Sequence, residues 1–143
     1  MKTEPIVIQR SYNAPVKKVW DAITNLEQMK QWYFNNIPDF RPEPGFTTQF
    51  NVHHEGKDFL HIWKVTEVVP MKKISYEWRY EGYPGNSLVT FELVPEGDST
   101  SLTLTHEGLE TFNPELHPEV ERKNFVEGWT AFIGSLLKKF VEE

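Results

Sequence analysis

The segment 118–143 carries its apolar residues at intervals of three and four. This spacing predicts an α-helix, because residues three and four apart lie on the same helix face. At 1.5 Å per residue the helix would be on the order of 35 Å long, and its apolar face is too wide and too aromatic for a two-stranded coiled coil. We therefore expect the helix to lie on a broad apolar surface. The residues of this face are Phe125, Val126, Trp129, Phe132, Ile133, Leu136, Leu137 and Phe140.

The middle of the chain alternates between apolar and polar positions, as strands with one buried face do. Its five runs are 46–52, 59–69, 73–80, 88–94 and 101–107. Short loops of turn-forming residues join these runs, which favours an antiparallel meander. In the second run neither alternating set is cleanly apolar. That irregularity predicts a β-bulge and leaves open which face His61 and Trp63 occupy.

The amino-terminal third predicts a first strand at 6–12, two short helices and a loop. Asn13 and Pro15 signal the first helix start, since Asn caps helices and proline is favoured in the first turn. Asn25 with Gln28 three residues later resembles a capping box for a second helix. Residues 33–45 contain three prolines and no periodicity. Such a loop is either a functional mouth or a packed connection.

These elements predict an α+β fold of two layers, in which a curved antiparallel sheet of about six strands wraps around a long carboxy-terminal helix. Two short helices follow the first strand. At 143 residues the chain has a common domain size. We expect one domain that spans residues 1–143.

Composition narrows the classes of function. The net charge of −6 argues against a nucleic-acid partner, because phosphate contacts need clustered lysine and arginine. The absence of cysteine excludes a disulfide scaffold, a thiolate metal site and a cysteine nucleophile. No stretch approaches the roughly 18 apolar residues that span a bilayer, and no signal peptide is apparent. We expect a cytoplasmic protein with no membrane span.

The order of the elements, together with particular residues, resembles the helix-grip superfamily (Bet v 1-like, START-like, SRPBCC). More narrowly, it resembles the family named after the activator of the Hsp90 ATPase (AHSA1-like). The resemblance covers nearly the whole chain. The residues that carry it are Arg10, Ala14, Pro15, Val19, Trp20, Gln31, Trp32, Gly45, Phe46, Val65, Glu67, Val68, Pro70, Ile74, Tyr76, Trp78, Leu102, Leu104, His106, Glu127, Gly128, Trp129, Ile133, Leu136 and Phe140.

The resemblance implies a cavity between the curved sheet and the long helix. Small apolar molecules suit aromatic walls that have a few polar groups for orientation. From the alternation along the strands and the helix, we expect the cavity to be lined by Phe50, Trp78, Tyr80, Phe91, His106, Phe125, Trp129 and Phe132.

Several residues admit more than one interpretation. His106 is either a general base in an apolar pocket or a neutral core histidine bonded to a backbone group or hydroxyl. Gly128 either makes room for a ligand or allows close packing of helix on sheet. The aromatic residues of the loop region form a surface for a protein partner, a cavity mouth or a plug of the core. They are Trp32, Tyr33, Phe34 and Phe40.

Since this superfamily contains carriers, cyclases, oxygenase subunits and a co-chaperone domain, the fold alone does not give the activity. Our first hypothesis is a non-enzymatic domain that binds a small hydrophobic or aromatic molecule. The alternatives are a co-chaperone-like regulator of an Hsp90-type ATPase and an enzyme of cyclase or hydrolase type that uses His106. No nucleophile, metal or phosphate-binding motif occurs, so no metal and no cofactor is expected. The sequence indicates neither the ligand nor the oligomeric state.

Overall fold

The computed structural model describes residues 4–143. Within them, six strands form one antiparallel sheet with the spatial order β1-β6-β5-β4-β3-β2. The strands are β1 (Ile6–Tyr12), β2 (Thr47–His54), β3 (Lys57–Val69), β4 (Lys73–Tyr80), β5 (Ser87–Glu96) and β6 (Ser99–Glu107). β2 to β6 form the predicted meander, and β1 pairs with β6 along its whole length.

The helical elements occur in two segments of the chain. Between β1 and β2 are α1 (Val16–Thr24) and α2 (Leu26–Trp32), and after β6 come two 3-10 turns, Leu109–Phe112 and Pro118–Val120. The carboxy-terminal helix then runs from Arg122 to Glu142 in three parts. These are α3 (Arg122–Ala131), a π turn (Phe132–Leu136) and α4 (Leu137–Glu142). The predicted helix-grip α+β fold is confirmed. In residues 4–143, no helix is both long enough and apolar enough to cross a membrane.

β3 contains the predicted bulge, at a register shift between Val65 and Glu67. Before the bulge, every second residue from Phe59 to Val65 is buried. His61 and Trp63 therefore both point toward the core, where their exposed fractions are 5 % and 1 %. The bulge answers the question that the alternation left open, because it reverses the inward set halfway along the strand.

The two short helices meet at Asn25. Its side chain accepts a hydrogen bond from the Gln28 N–H, as the capping pattern predicts. The indole of Trp32 donates to the Ala22 carbonyl over 2.7 Å and ties the second helix to the first. Asn13 does not cap α1. That helix begins after Pro15 without a side-chain cap, and the Asn13 N–H instead donates to the Glu142 carboxylate.

The loop 33–45 is a packed connection. Tyr33, Ile37 and Phe40 are buried, and the Tyr33 hydroxyl is hydrogen-bonded to that of Tyr76 at 2.8 Å. Trp32 is also buried, whereas Phe34 is half-buried. These aromatic side chains therefore do not form an exposed docking surface.

The carboxy-terminal helix buries every fourth residue most deeply, and three other residues of the predicted face, Val126, Phe132 and Phe140, are half-buried against the core. The buried positions of this row are Phe125, Trp129, Ile133, Leu137 and Val141. In an α-helix, four residues overshoot one turn by about 40°, so such a row would drift off the sheet. The wider π turn in the middle returns the row to the core.

The π turn also explains why Leu136, predicted on the buried face, is 46 % exposed. In an α-helix the Leu137 N–H would bond to the Ile133 carbonyl, but here it bonds to Phe132 one residue further back. The Ile133 carbonyl accepts a hydrogen bond from the buried Tyr12 hydroxyl at 2.6 Å instead. β1 thus supplies the partner that the π turn needs.

Candidate ligand cavity

A cavity of about 760 Å³ lies between α3 and the sheet, on the side of β2 to β4. This volume is within the range that holds drug-sized molecules. Its interior wall is largely aromatic and buried or half-buried. The interior residues are Phe34, Phe59, His61, Trp78, Tyr80, Phe125, Trp129 and Phe132. Its mouth is polar and mostly exposed, and consists of His54, Glu55, Lys57, Glu119, Asn124 and Glu127.

The eight residues expected in the lining divide into two groups. Five lie on the cavity wall, namely Trp78, Tyr80, Phe125, Trp129 and Phe132. Phe50, Phe91 and His106 face the same way but are outside the lining, because other rings lie close to them. The Phe34 ring lies 5.1 Å from Phe50, Trp129 lies 5.8 Å from Phe91, and Phe125 lies 5.1 Å from His106.

The carboxy-terminal helix presents positions 124, 125, 127, 128, 129 and 132 to the cavity, and Gly128 lies in the middle of this set. A Cβ placed on Gly128 would have no atom within 4 Å. Close packing of helix on sheet therefore does not explain this glycine. Its missing side chain leaves open space in the cavity. Gly134 differs, because a Cβ there would lie 3.3 Å from Nε of Arg10.

His106 is the middle of a buried hydrogen-bond chain. The Trp129 indole N–H donates to Nδ1 of His106 over 3.0 Å, so Nδ1 is the unprotonated nitrogen. Nε2 then carries the proton and donates to the Ser87 hydroxyl at 2.8 Å, which donates to the Trp78 carbonyl at 2.6 Å. Burial lowers the His106 pKa to about 3. His106 is thus a neutral core histidine whose two ring nitrogens are both bonded, which agrees with the second of the two interpretations and not with an accessible base.

His61, which the sequence could not assign to a face, lies in the cavity wall with one ring nitrogen bonded. Nδ1 is 2.9 Å from the Phe59 carbonyl. Burial lowers the His61 pKa to about 4, so the ring is neutral at pH 7. The alternation Phe59, His61, Trp63, Val65 was the available signal, but the bulge concealed it.

Tyr80 is the cross-strand partner of His61. Its hydroxyl oxygen accepts a hydrogen bond from the Trp78 indole N–H at 2.8 Å. Burial raises the pKa of Tyr80, so the hydroxyl keeps its proton. The wall therefore combines aromatic surface with two neutral polar groups.

The mouth carries more acid than base. Lys57 forms an ion pair with Glu119, which lowers the Glu119 pKa, while Glu55 and Glu127 add two more carboxylates. Such a rim does not favour an anionic ligand. Among residues 4–143, no three side chains with metal-binding groups gather in a cluster that could hold a metal ion.

The sequence did not predict most of the residues of the mouth, because they lie on a hairpin and in a 3-10 turn. His54, Glu55 and Lys57 surround the β2–β3 turn, and Glu119 lies in the turn Pro118–Val120. Segments this short and polar show no periodicity. The predicted candidates for the mouth were Trp32, Tyr33, Phe34 and Phe40, and of these only Phe34 lies in the lining.

Solved structures show where the fold recurs. Protein CV1439 from Chromobacterium violaceum has a TM-score of 0.82 and 20 % identity, with 98 % of each chain covered. Protein MLL2253 from Mesorhizobium loti has a TM-score of 0.73 and 27 % identity over 96 % of each chain. DynU16, a protein in the dynemicin biosynthetic locus, has a TM-score of 0.77 and 23 % identity. The match covers 98 % of the present chain and 48 % of DynU16.

A search of curated proteins finds no match. A family model, described as activator of Hsp90 ATPase homolog 1-like protein, matches residues 13–142. This match includes every helix and all but the first strand, and it agrees with the helix-grip architecture. The chain belongs to the activator of Hsp90 ATPase homolog 1-like family.

Proposed function

We propose that this protein binds a small hydrophobic or aromatic molecule in the cavity beneath α3 and does so without catalysis. The observation that carries the proposal is the open space at Gly128, in the centre of a helix face otherwise made of bulky residues. A helix interior loses roughly 1 kcal/mol when it has glycine in place of alanine. A vacancy kept at this cost, inside an aromatic cavity, fits a ligand site.

The arrangement of His106 supports the non-catalytic part of the proposal. The histidine is outside the lining, both of its nitrogens are bonded, and its lowered pKa makes it a poor base at pH 7. DynU16 is described as a protein in a biosynthetic locus. At 23 % identity that likeness supports a shared fold, and a reaction does not follow from it.

The chaperone-contact alternative has the family description as its support. The aromatic loop was its candidate surface, and those side chains are largely buried. We therefore rank it second. A direct test is the ATPase rate of an Hsp90-type chaperone with and without this protein. An accelerated rate would move the assignment to this alternative.

The binding proposal is tested with a neutral fluorescent probe, N-phenyl-1-naphthylamine, whose emission rises in apolar surroundings. Wild-type protein and Gly128→Ala should both bind it. Gly128→Phe should bind it at least about tenfold more weakly, because the phenyl ring enters the cavity space. Thermal melting shows that the variants remain folded. Absence of binding by wild-type protein, or undiminished binding by folded Gly128→Phe, would overturn the proposal.

Native mass spectrometry of freshly purified protein complements the probe. A mass adduct that disappears on denaturation would give the molecular weight of the natural ligand. The same preparation of Gly128→Phe is the matched control, since it should carry less of the adduct.

A further inference from the structure

One ring nitrogen in the cavity wall has no protein partner. Nδ1 of His61 faces the Phe59 carbonyl at 2.9 Å, and a carbonyl can only accept. Nδ1 therefore carries the proton, and Nε2 is left as an acceptor. No hydrogen-bond partner for Nε2 is found among the described residues, although the side chain is 95 % buried.

The neighbouring Tyr80 offers the complementary group. Its oxygen accepts the Trp78 indole proton, and an indole N–H is only a donor. The Tyr80 hydroxyl hydrogen is therefore free to donate, and no acceptor for it is found in the part of the chain that the structure describes. The His61 and Tyr80 rings are 4.7 Å apart between centroids. An acceptor and a donor that the described residues leave unused are thus carried by neighbouring rings on paired strands.

His106, the other buried histidine, differs from His61 because both of its ring nitrogens have partners. Its two nitrogens bond to Trp129 and Ser87 within the protein. His61 and Tyr80 both line the cavity, and Nε2 of His61 is not one of the sealed, unpartnered atoms, which are Nε1 of Trp63 and Oε1 of Glu119. A molecule in the cavity can therefore supply the partner that the described residues do not. A hydroxyl group fits this pair, because it donates one hydrogen bond and accepts others.

The charges around the cavity select a neutral ligand. Its lining contains Glu55, Glu119 and Glu127 against Lys57, which is already paired with Glu119. His61 stays uncharged at pH 7 because burial lowers its pKa to about 4. A carboxylate would therefore enter an acidic mouth and find no cation inside.

We propose that the ligand is an uncharged aromatic compound with a hydroxyl group, of phenol type, and that this hydroxyl donates to Nε2 of His61 and accepts from the hydroxyl of Tyr80. The inference rests on the proposed binding function and specifies the class of molecule that is bound. The aromatic rings of the wall hold the frame, and the polar pair fixes its orientation.

The test compares four probes of similar size by equilibrium dialysis: naphthalene, 2-methoxynaphthalene, 2-naphthol and 2-naphthoate. Wild-type protein should bind 2-naphthol about five- to tenfold more tightly than 2-methoxynaphthalene, which lacks the donor. It should bind 2-naphthoate most weakly. This comparison needs no mutant, so it does not depend on the folding of a variant.

The residue is then tested with His61→Phe, which retains an aromatic ring and removes the acceptor. The preference for 2-naphthol over 2-methoxynaphthalene should fall below about twofold. His53→Phe is the matched control, because it makes the same substitution at an exposed histidine outside the cavity lining. It should keep the preference of the wild-type protein.

The outcomes separate the two proposals. If no probe binds, the binding function itself fails. If naphthalene and 2-methoxynaphthalene bind as tightly as 2-naphthol, the cavity binds ligands but the hydroxyl inference is wrong. Tightest binding of 2-naphthoate, or a preference that persists in folded His61→Phe, would also overturn the inference.

Discussion

The two halves of the carboxy-terminal helix lie on the same sheet, but one covers a closed core and the other covers a cavity. α4 and Ile133 of the π turn lie on a closed core, where Ile133, Leu137 and Val141 are completely buried. α3 lies over the cavity, and Gly128 leaves space beneath it. The π turn separates the halves. The comparison shows how one helix can anchor the fold at one end and leave room for a ligand at the other.

The most severe way to break this comparison is to truncate a side chain in each half. Leu137→Ala should lower the free energy of unfolding by about 2–5 kcal/mol, because it leaves a cavity in a closed core. Phe132→Ala should cost about 1–2 kcal/mol, because this cavity-wall side chain is only half-buried. Urea denaturation measures both values.

For ligand binding, the order of the two variants should be reversed. Phe132→Ala should alter the affinity for N-phenyl-1-naphthylamine, whereas folded Leu137→Ala should leave it unchanged. Equal stability losses together with equal binding changes would mean that the halves are not distinct.

Low pH should lower the free energy of unfolding through the two buried histidines, His61 and His106. His61 and His106 have pKa values lowered by burial from 6.5 to about 4 and about 3. Between pH 6.5 and 5 the unfolded chain takes up protons that the folded protein does not, so stability falls as the pH falls. Each histidine should contribute about 1.5 kcal/mol over this interval.

Urea denaturation at pH 6.5 and pH 5 checks this slope. His61→Phe should remove about half of it, and His54→Phe serves as the control because that histidine is exposed. A slope that is unchanged in folded His61→Phe would show that this histidine is not buried in its neutral form.

The boundary between the halves is probed by Tyr12→Phe. The substitution removes the hydroxyl that donates to the Ile133 carbonyl. That carbonyl does not receive the Leu137 N–H, because the π turn directs this N–H to Phe132. Loss of a partner by a buried polar group costs about 1–3 kcal/mol. Hydrogen exchange should also become faster at the start of α4. A loss below about 0.5 kcal/mol would argue that the π turn does not need this bond.

The smallest expected effect concerns the stability changes at the two glycines of the carboxy-terminal helix. Gly128→Ala should stabilise the protein by about 0.5–1 kcal/mol, because its Cβ meets open space. Gly134→Ala should gain less, because Arg10 must move to accommodate the methyl group. Thermal melts of the two variants give the difference. A larger gain at Gly134 would contradict the assignment of the open half.

The sequence allowed the strands and the helix order to be predicted, since one buried face imposes alternation and three- to four-residue spacing. It could not reveal the π turn. Leu136 fits a regular helical stripe, whereas the π turn is accompanied by a hydrogen bond from Tyr12, a residue far away in the sequence. Alternation likewise placed Phe50, Phe91 and His106 on the inward face. It could not show which inward side chains are covered by others, because this depends on how the helix and Phe34 are seated.

The bond between Tyr12 and Ile133 joins residues 121 positions apart and has a consequence for biosynthesis. The ribosome completes all six strands before the carboxy-terminal helix emerges. At about 5–20 residues per second, the helix segment takes on the order of one to four seconds to translate. During that time the part of the aromatic face that lies beneath the carboxy-terminal helix is uncovered. A nascent chain stalled near residue 121 should therefore be a good client for chaperones that hold exposed apolar surface.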